Sequence, residues 1–507
     1  MTTSTALALG SAALQQISGS VRTPTYDRTA VTVGIVHFGV GGFHRAHQAM
    51  YTDALLAAGE RDWGICGVGV MPADRRMQQA LDAQDGLYTL VTKSPDGALD
   101  AQVIGSIVQY LYAPDDPEAV LELLAAPSTR IVSLTVTEGG YSINQVTGDF
   151  DPAPPAIAAD LQPEAVPGTV FGLITEGLRR RRERGIEPFT VLSCDNLQGN
   201  GDLAARAFTE FATLKDAELG RWVGNCVSFP NCMVDRITPV TTDEDRAMVA
   251  EKFGITDAWP VVCEPFTQWV LQDDFPAGRP AWDTVGAQVV DHVEPYELMK
   301  LRLLNASHQG IAYLGHLAGY RLVHDAAQDP AMRRFLLAYM QDEATPTLAP
   351  VPGIDLDAYR HELIERFSNA HVRDTVARLA AESSDRIPKW LVPVIRENIA
   401  AARPVPLSAA ICAAWARYAE GTDEQGTPIE IVDRIADERH AAALAQLQDG
   451  GDQLAFVRNR DLFGDLAEQP LFTEPYLAAL DLLHSRGAAA LLLELINTVG
   501  PQGHQSV

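Results

Sequence analysis

A glycine turn between a buried strand and a helix is the feature that most restricts the fold of this chain. Residues 31–38 (VTVGIVHF) are mostly apolar and rich in β-branched side chains, as expected for a strand buried on both faces of a parallel sheet. Gly39, Gly41 and Gly42 follow, and a helical pattern begins after them. Backbone N–H groups in this position bind the pyrophosphate of a dinucleotide. His44 replaces the third glycine of the usual fingerprint, so a tight turn without a ligand stays open as the alternative.

An acidic residue follows the next predicted strand. Residues 64–70 (GICGVGV) form a second apolar run, and Asp74 lies after it, where a carboxylate can accept hydrogen bonds from an adenosine ribose. Asp74 comes 35 positions after Gly39, which is more than the usual ~20. Arg75 and Arg76 follow directly and could instead bind a 2′-phosphate. The sequence therefore favours NAD but leaves NADP open.

Strand-like runs alternate with helical stretches through the first three fifths of the chain. Helical patterns cover residues 175–184 and 203–213, among others. Further strands are predicted at residues 131–137, 189–194, 225–229 and 261–264. This alternation is typical of a parallel sheet with helices on both faces. We therefore predict an α/β fold in which residues 1–293 form a Rossmann-type, doubly wound dinucleotide-binding domain.

The pattern changes after Pro295. No convincing strand follows it. Amphipathic runs predict helices at residues 296–322, 332–340, 356–367, 372–379, 391–401, 408–418, 427–447 and 476–496. We predict that residues 294–507 form a mostly α-helical domain that binds the substrate and carries the catalytic groups.

The first helix of this second domain gathers polar side chains among leucines. At about 100° per residue, Glu297, Lys300, Asn305 and His308 project within a ~140° arc. A lysine among apolar neighbours loses its hydration, which favours the neutral form that can accept a proton. Asn305 could donate a hydrogen bond to an oxygen that gains charge, and His308 could donate or accept beside it. The alternative is that Lys300 extends to solvent and that the other two are locally hydrogen-bonded.

Three of the predicted strands end in polar clusters. These clusters are TEGGY at residues 137–141, CDNLQGNG at 194–201 and FPNCMVDRITP at 229–239. Ligands of doubly wound sheets bind beyond the carboxyl ends of the strands, so Glu138, Asn196 and Asp235 are candidate site residues. Taken singly, each is more often a turn residue.

A group of basic residues stands out in an otherwise acidic chain. Arg378, Arg386 and Lys389 lie within RLAAESSDRIPKWLVP and could position substrate oxygens. Ordinary helix-surface cations are an equal alternative.

Composition narrows the possible partners and location. The net charge of −27 argues against nucleic acid and anionic membranes, because both require a basic surface. No run approaches the ~18 apolar residues of a membrane span. The six cysteines are scattered without a C-x-x-C pair, which predicts buried thiols in a reducing, cytoplasmic compartment. No metal motif such as H-E-x-x-H is present, and we predict no metal site.

These motifs occur together and in order in one known family. GVGGFHRAH, TEGGY, CDNLQGNG, FPNCMVDRITP and the spacing K-x4-N-x2-H resemble the polyol-specific long-chain dehydrogenase/reductase family from residue 31 to residue 393. The last two motifs are specific to the family, whereas the glycine turn is not. The resemblance implies a nicotinamide-dependent, zinc-independent oxidoreductase with an N-terminal Rossmann domain and a helical C-terminal domain, and it permits a monomer.

The resemblance also implies roles in catalysis. Lys300 matches the general base that takes the alcohol proton, Asn196 and Asn305 match the oxyanion hole, and His308 matches the residue that positions the substrate. The carboxylates that match a proton path from the base are Glu138 and Glu297.

Further matches concern the cofactor and the substrate. The cofactor positions are Gly39, Gly41, Gly42, Phe43, Asp74 and Asp235, and Asp235 is also implied to contact substrate. Ala73 stands where some relatives carry a second acidic residue. Arg378 matches a substrate-contacting arginine, and either Arg386 or Lys389 stands where relatives have a lysine.

The activity implied is the interconversion of D-mannitol and D-fructose with NAD(H). Reduction of a hexuronate (fructuronate or tagaturonate) and oxidation of D-arabinitol are alternatives within the same family. A nucleotide-binding sensor without turnover is an alternative from another class, although such a protein has no use for a desolvated base. The expected partner is a small polyol or ketose.

Overall fold

The computed structural model of the protein describes residues 6–17, 19–143, 150–448 and 450–498. Its chain divides into two compact units, Met1–Glu294 and Pro295–Val507. Within the described residues, every β-strand lies in the first unit and the second unit is built from helices. No helix among these residues is long and apolar enough to cross a membrane.

The described part of the first unit contains thirteen strands. They are β1 (Leu7–Ala8), β2 (Val33–Phe38), β3 (Gly64–Gly69), β4 (Tyr88–Lys93), β5 (Leu99–Ile104), β6 (Ile107–Tyr112), β7 (Ile131–Leu134), β8 (Thr190–Ser193), β9 (Cys232–Asp235), β10 (Ile255–Thr256), β11 (Val261–Cys263), β12 (Gln268–Gln272) and β13 (Gln288–Val290). The helices of this unit are α1 (Gly42–Ala46), α2 (Gln48–Ala58), α3 (Asp74–Asp82), α4 (Pro117–Ala125), α5 (Pro155–Asp160), α6 (Val170–Glu183), α7 (Asn200–Lys215), α8 (Ala217–Cys226) and α9 (Asp243–Phe253).

Five parallel strands form the main sheet of this unit, in the order β6-β3-β2-β7-β8. Numbered by their succession within the sheet, this order is 3-2-1-4-5, as in a doubly wound Rossmann sheet. β2 lies at the centre, where Ile35 pairs with Ile65 on one side and Ile131 on the other. Ile35, like its neighbour Val36, is fully buried because helices cover both faces of the sheet. The Rossmann-type fold predicted from the sequence is confirmed.

One predicted strand is wrong. Residues 225–229 form no strand, because α8 continues through Cys226 and the chain is irregular until β9 begins at Cys232; the Ser228 carbonyl accepts a hydrogen bond from the Val191 N–H of β8 at 3.0 Å. Asp216 caps α8 by accepting a hydrogen bond from the Leu219 N–H at 2.7 Å. Val227 and Phe229 are apolar because they pack into the core from this irregular segment. The apolar run is therefore a packing signal and not a strand signal.

Smaller sheets that the sequence did not reveal surround the main one. β4 pairs with β11 in parallel and with β5 in antiparallel orientation. β12 pairs in parallel with β13 and in antiparallel orientation with β9. β1 and β10 form a short parallel pair.

The second unit is helical, as predicted. Its helices are α10 (Glu294–Met299, which begins at the last residue of the first unit), α11 (Ala306–Gly310), α12 (Val323–Gln328), α13 (Pro330–Ala338), α14 (Leu356–Phe367), α15 (Val376–Ala380), α16 (Ser383–Trp390), α17 (Val392–Ala400), α18 (Pro406–Ala419), α19 (Ala436–Gln446), α20 (Arg460–Phe463), α21 (Pro470–Arg486) and α22 (Ala488–Thr498). Within the described part of this unit, three π-helical segments continue neighbouring α-helices: Lys300–Asn305, Ile311–Gly315 and Tyr339–Ala344.

Four of the predicted helices need correction. The helix predicted over residues 296–322 ends at Leu317, and the one predicted over residues 372–379 begins only at Val376. The helix predicted over residues 427–447 begins only at Ala436, because Pro428 cannot donate a backbone hydrogen bond and Asp423 holds the Thr427 N–H in a turn at 2.8 Å. The helix predicted over residues 476–496 is two helices, α21 and α22. Gly487 separates them with φ of 84°, a conformation that ends a helix and that favours glycine.

Candidate active site

The glycine turn after β2 requires glycine at its first position. Gly39 has φ of 89°, and a Cβ atom there would lie 2.1 Å from the Thr135 carbonyl oxygen. Gly41 and Gly42 are different, since a Cβ atom on either would meet nothing closer than 3.6 Å. These two glycines leave the backbone of the turn bare, and the first N–H groups of α1 have no acceptor within the helix. The turn therefore has open backbone for a phosphate group to approach.

Two stacked histidine rings support this turn from within the core. His37 contacts the Ser133 hydroxyl at 2.8 Å through Nδ1 and the Thr135 hydroxyl at 3.0 Å through Nε2. The His44 ring stacks on it with ring centroids 3.4 Å apart. Burial lowers the pKa of His37 to about 3 and that of His44 well below its usual range, so both rings are neutral. His44, at the position of the missing third glycine, is thus a core residue of the turn.

The VDRITP motif lies against the same turn. Arg236 donates from Nη1 to the Ala46 carbonyl at the end of α1, at 2.6 Å, and from Nε to the Glu264 carbonyl at 3.1 Å. Thr238 reaches the glycine turn, where its methyl group would be 3.6 Å from a Cβ atom on Gly42. Asp235, the last residue of β9, is 5% exposed. The structure therefore brings this motif, nearly 200 positions later in the chain, beside the predicted pyrophosphate turn.

Asp74 begins α3 and organises the turn after β3. Its Oδ2 atom accepts hydrogen bonds from the Val70 and Met71 N–H groups at 2.9 and 2.8 Å. Its Oδ1 atom takes no part in this turn. The carboxylate thus lies at the carboxyl end of the second strand of the sheet, where an adenosine ribose is bound in Rossmann domains.

Asn196 lies exposed just after β8, next to an aspartate that the sequence analysis did not single out. Asp195 accepts hydrogen bonds from the Val136 N–H at 3.1 Å, the Thr137 N–H at 2.8 Å and the Tyr141 hydroxyl at 2.8 Å. It therefore ties the end of β8 to the TEGGY loop. The sequence did carry a signal for Asp195: it is an acidic residue that lies between the end of a buried strand and the candidate Asn196.

The TEGGY loop forms a short 3-10 turn, Glu138–Tyr141. The side chain of Glu138 lies outside what the structure describes. A second asparagine near the site, Asn200, was not predicted from the sequence. Its amide donates to the carbonyls of Asp195 and Cys232 at 3.0 and 2.7 Å, and its oxygen accepts from the Cys232 N–H at 2.9 Å. Asn200 thereby joins the ends of β8 and β9.

In the second unit, Lys300, Asn305 and His308 lie on one continuous helical run and are buried, with 6%, 4% and 8% of their surface exposed. Glu297, one turn earlier, is 6% exposed. The burial agrees with a polar site among apolar neighbours. The angular spacing of about 100° per residue does not hold, because Lys300–Asn305 is π-helical and each turn contains about one additional residue. Such π segments are frequent at functional sites.

Arg302 anchors this helical run from its far side. It donates to both oxygens of Glu397 at 2.7 and 2.8 Å and to the Thr347 carbonyl at 2.6 Å. The Tyr339 hydroxyl donates to the Arg302 carbonyl at 3.0 Å. The run is therefore fixed to three other segments. The Asn305 Oδ1 atom, although buried, accepts no hydrogen bond within the part of the chain that the structure describes.

Behind His308, a buried hydrogen bond links this run to the basic segment. The Ser383 hydroxyl, at the start of α16, donates to Gln309 Oε1 at 3.0 Å. Arg378, on the preceding helix α15, is exposed and donates from Nε and Nη2 to the Asp374 carboxylate. Arg386 donates to the Arg378 carbonyl at 3.4 Å. The structure thus brings Arg378 and Arg386 together.

Lys389, one turn beyond Arg386 on α16, is exposed. Among the described residues of the chain, no group of three or more histidine, cysteine, aspartate or glutamate side chains could hold a metal ion.

The strand order, the bare glycine turn and the carboxylate of Asp74 fit a dinucleotide, and they define the first unit as a dinucleotide-binding Rossmann domain. Family models agree with both units: residues 33–284 match the mannitol dehydrogenase Rossmann domain, and residues 292–484 match the mannitol dehydrogenase C-terminal domain. The chain belongs to the mannitol dehydrogenase family, which confirms the family predicted from the sequence motifs.

Individual relatives cover nearly the whole chain. A mannitol 2-dehydrogenase of Aspergillus fumigatus is 44% identical over 97% of this chain and 99% of its own length. The Pseudomonas fluorescens mannitol 2-dehydrogenase, solved as a ternary complex with NAD and D-mannitol, has 44% identity and a TM-score of 0.88 over 98% of this chain and 100% of its own. A D-sorbitol dehydrogenase solved in substrate-free form has 37% identity and a TM-score of 0.88 over 96% of this chain and 100% of its own.

Proposed function

We propose that this protein interconverts D-mannitol and D-fructose with NAD(H), the activity of a mannitol 2-dehydrogenase. The observation that carries the proposal is the burial of Lys300, Asn305 and His308 on one helical run, in a chain whose other unit is a dinucleotide-binding Rossmann domain. The likeness to a relative solved with NAD and D-mannitol supports this choice of cofactor and substrate.

Lys300 acts as the general base. Lys300 is 6% exposed and thus shielded from bulk water, so a polyol hydroxyl bound beside it passes its proton to the amine. NAD⁺, held by the glycine turn at residues 39–42, would supply the hydride acceptor for the carbon that carries this hydroxyl, so the products would be the ketose, NADH and a proton. Asn196 and Asn305 donate hydrogen bonds to the substrate oxygen as its negative charge grows. His308 orients the substrate. A lysine base removes the need for a metal ion to acidify the alcohol, so the proposed reaction needs no zinc.

The remaining candidate residues complete this assignment. Glu297 and Glu138 carry the proton from Lys300 toward solvent. Asp235 contacts the cofactor and the substrate.

Arg378, with Arg386 or Lys389, binds substrate oxygens remote from the reacting carbon. Because Nε and Nη2 of Arg378 already donate to Asp374, its Nη1 group is the one proposed to meet the substrate.

The two domains have different functions in the proposed reaction. Residues 1–293 bind the dinucleotide through Gly39, Gly41, Gly42 and Phe43, with Asp74 at the ribose, and residues 294–507 supply the base and most of the substrate contacts. NAD is the proposed cofactor because Asp74 places a carboxylate where the ribose hydroxyls bind. A cytoplasmic location is proposed because all six cysteines are free, which suits a reducing compartment.

The substrate assignment is tested by following NADH oxidation with D-fructose and, in parallel, with D-fructuronate and D-tagaturonate. NAD⁺ reduction is followed with D-mannitol, D-sorbitol and D-arabinitol. Fastest turnover of D-fructose and D-mannitol supports the proposal. Faster turnover of a hexuronate would make the basic segment a carboxylate site and would replace the proposed substrate, whereas D-arabinitol as the best polyol would indicate a pentitol enzyme. Absence of turnover with all six would favour a non-catalytic nucleotide-binding protein.

The mechanism is tested by replacing Lys300 with alanine. Loss of a positioned general base costs about 10²–10⁴-fold in kcat, and NADH binding measured by fluorescence titration should stay within about twofold of the parent. Lys252→Ala, which removes an exposed lysine on α9, is the matched control and should leave both unchanged. Unreduced turnover in Lys300→Ala would refute the assignment of the base.

A further inference from the structure

One of the two arginines after Asp74 is held by a carboxylate at the edge of the main sheet. Arg75 donates from both Nη1 and Nη2 to the Asp115 carboxylate. Its guanidinium carbon also lies 4.1 Å from the centre of the Tyr112 ring, which is the geometry of a cation–π contact. Nη1 donates in addition to Gln78 Oε1 at 3.2 Å. Three neighbours thus fix the guanidinium in one place.

The strand order shows where the Arg75–Asp115 pair lies in the sheet. Asp115 follows β6, the edge strand, which pairs with β3. The glycine turn follows β2, which pairs with β3 on the opposite side. The carboxyl ends of parallel strands lie at one edge of the sheet, so Arg75, just after β3, has two directions open to it. Asp115 draws it toward β6 and away from the glycine turn.

We propose that Asp115 is a specificity-determining residue that favours NAD(H) over NADP(H), because it keeps Arg75 from the 2′ position of the adenosine ribose. The inference rests on the dinucleotide binding in the proposed function. An arginine near this ribose is the group that accommodates the 2′-phosphate of NADP. Here Arg75 would first have to leave Asp115 and Tyr112 before it could bind that phosphate.

The second arginine is engaged as well. The Arg76 guanidinium carbon lies 5.1 Å from the centre of the Trp259 ring. Asp74, whose carboxylate stands at the predicted ribose position, would repel a 2′-phosphate. Arg75 is therefore the arginine whose release should change the preference for NAD(H) over NADP(H) most directly. Its anionic partner is the Asp115 carboxylate, which a single substitution removes.

The size of the effect follows from the exposure of the pair. The side chains of Arg75 and Asp115 are 42% and 49% exposed, so solvent and salt screen their attraction. Bidentate geometry and the tyrosine ring strengthen the hold. We expect release of Arg75 to tighten NADPH binding about fivefold, and we expect that gain to shrink at high salt.

The experiment measures NADH and NADPH binding to the full-length protein by isothermal titration calorimetry without any polyol. Asp115→Asn keeps the shape of the side chain and removes its charge. We expect this variant to bind NADPH about fivefold more tightly than the parent and NADH within about twofold of it. An unchanged NADPH affinity would overturn the proposal.

Two further variants separate release of Arg75 from a general loss of negative charge. In the double variant Arg75→Ala, Asp115→Asn the gain should disappear, and a gain that persists there would overturn the proposal. Arg75→Ala alone should leave NADPH affinity unchanged, because Arg75 does not reach the phosphate in the parent protein; weaker NADPH binding in this variant would also overturn it.

Asp452→Asn, which breaks an exposed pair with Arg458 in the second unit, is the control for net charge and should change neither affinity. Because no polyol is present, a failure of this test is distinct from a failure to turn over D-mannitol. Absence of NADH binding in the parent protein would overturn this inference together with the cofactor assignment on which it rests.

Discussion

We predict that Glu343→Gln destabilises the second unit by an amount that depends on pH. Glu343 is 2% exposed and lies in the π segment Tyr339–Ala344. Its Oε1 atom accepts from the Leu407 N–H at 2.7 Å, and its Oε2 atom accepts from the Ser408 N–H at 2.8 Å and from the Ser408 hydroxyl. It therefore caps the start of α18. The same π segment supports the Lys300 helical run through the bond from Tyr339 to Arg302.

The magnitude follows from the pKa of this carboxyl group. Burial raises the pKa of Glu343 from 4.5 to about 7, although its three hydrogen bonds oppose the shift. A folded-state pKa above the unfolded value means that the protonated form favours folding. This contribution, of order 3 kcal/mol, is fully present below pH 4.5 and is lost as the pH rises through about 7. Glutamine does not titrate, so the variant lacks it.

A second, pH-independent cost comes from the hydrogen bonds. The glutamine amide is a donor and would face a backbone N–H of Leu407 or Ser408, which leaves a buried donor without an acceptor. That costs roughly 1–3 kcal/mol. The destabilisation caused by Glu343→Gln should therefore be larger at pH 5 than at pH 8, by up to roughly 3 kcal/mol.

The assay is hydrogen exchange with mass spectrometry between pH 5 and pH 8, corrected for intrinsic exchange rates. It reports local stability, which suits a chain of two units whose overall unfolding need not be two-state. Peptides that cover α18 should lose protection in the variant, and most strongly at low pH. Glu365→Gln, an exposed position on α14, is the control and should leave α18 unchanged. Equal destabilisation at pH 5 and pH 8 would refute the assigned pKa.

Two other predictions concern the first unit. Gly39→Ala should abolish NADH binding and lower the melting temperature, because a Cβ atom would lie 2.1 Å from the Thr135 carbonyl, whereas Gly42→Ala should fold normally and weaken only NADH binding; similar melting of both variants would contradict this. Asp195→Asn removes one acceptor from the TEGGY loop, which should cost about 1–3 kcal/mol in local stability and lower kcat for D-mannitol more than it weakens NADH binding. Unchanged kcat in Asp195→Asn, measured beside the control Asp202→Asn on the surface of α7, would show that this loop plays no part in turnover.

The sequence predicted the Rossmann sheet because its signals are local. The strand, the glycine turn and the helix that follow one another from Val33 to Ala58 each leave a pattern within a few residues. The same holds for the burial of Lys300 and His308, since leucines surround them along the chain. Local patterns gave a wrong prediction at residues 225–229, whose apolar side chains pack in the core although their backbone forms no strand.

The features that the sequence did not reveal depend on partners far apart in the chain. Asp195 holds the Thr137 N–H 58 positions away, and Asn200 holds Cys232 at a separation of 32. A π-helical segment of six residues is likewise too short to show a period of its own, and Arg302 within it is hydrogen-bonded to Glu397, 95 positions away. The short stretches of sequence from which helices and strands are predicted do not contain both residues of such a hydrogen-bonded pair.

Arg75 shows what this means for function. The sequence places it beside Asp74, where it could bind a 2′-phosphate, whereas in the structure Asp115, 40 positions away, accepts hydrogen bonds from its guanidinium. Which partner it meets is decided by the strand order, since β6 and β2 lie on opposite sides of β3. A cofactor preference can thus change without any change in the residues around the ribose, if the carboxylate after the edge strand is gained or lost. Among relatives with the same Asp-Arg sequence after the second strand, we therefore expect NADP(H) use to follow the absence of an acidic residue at the position of Asp115.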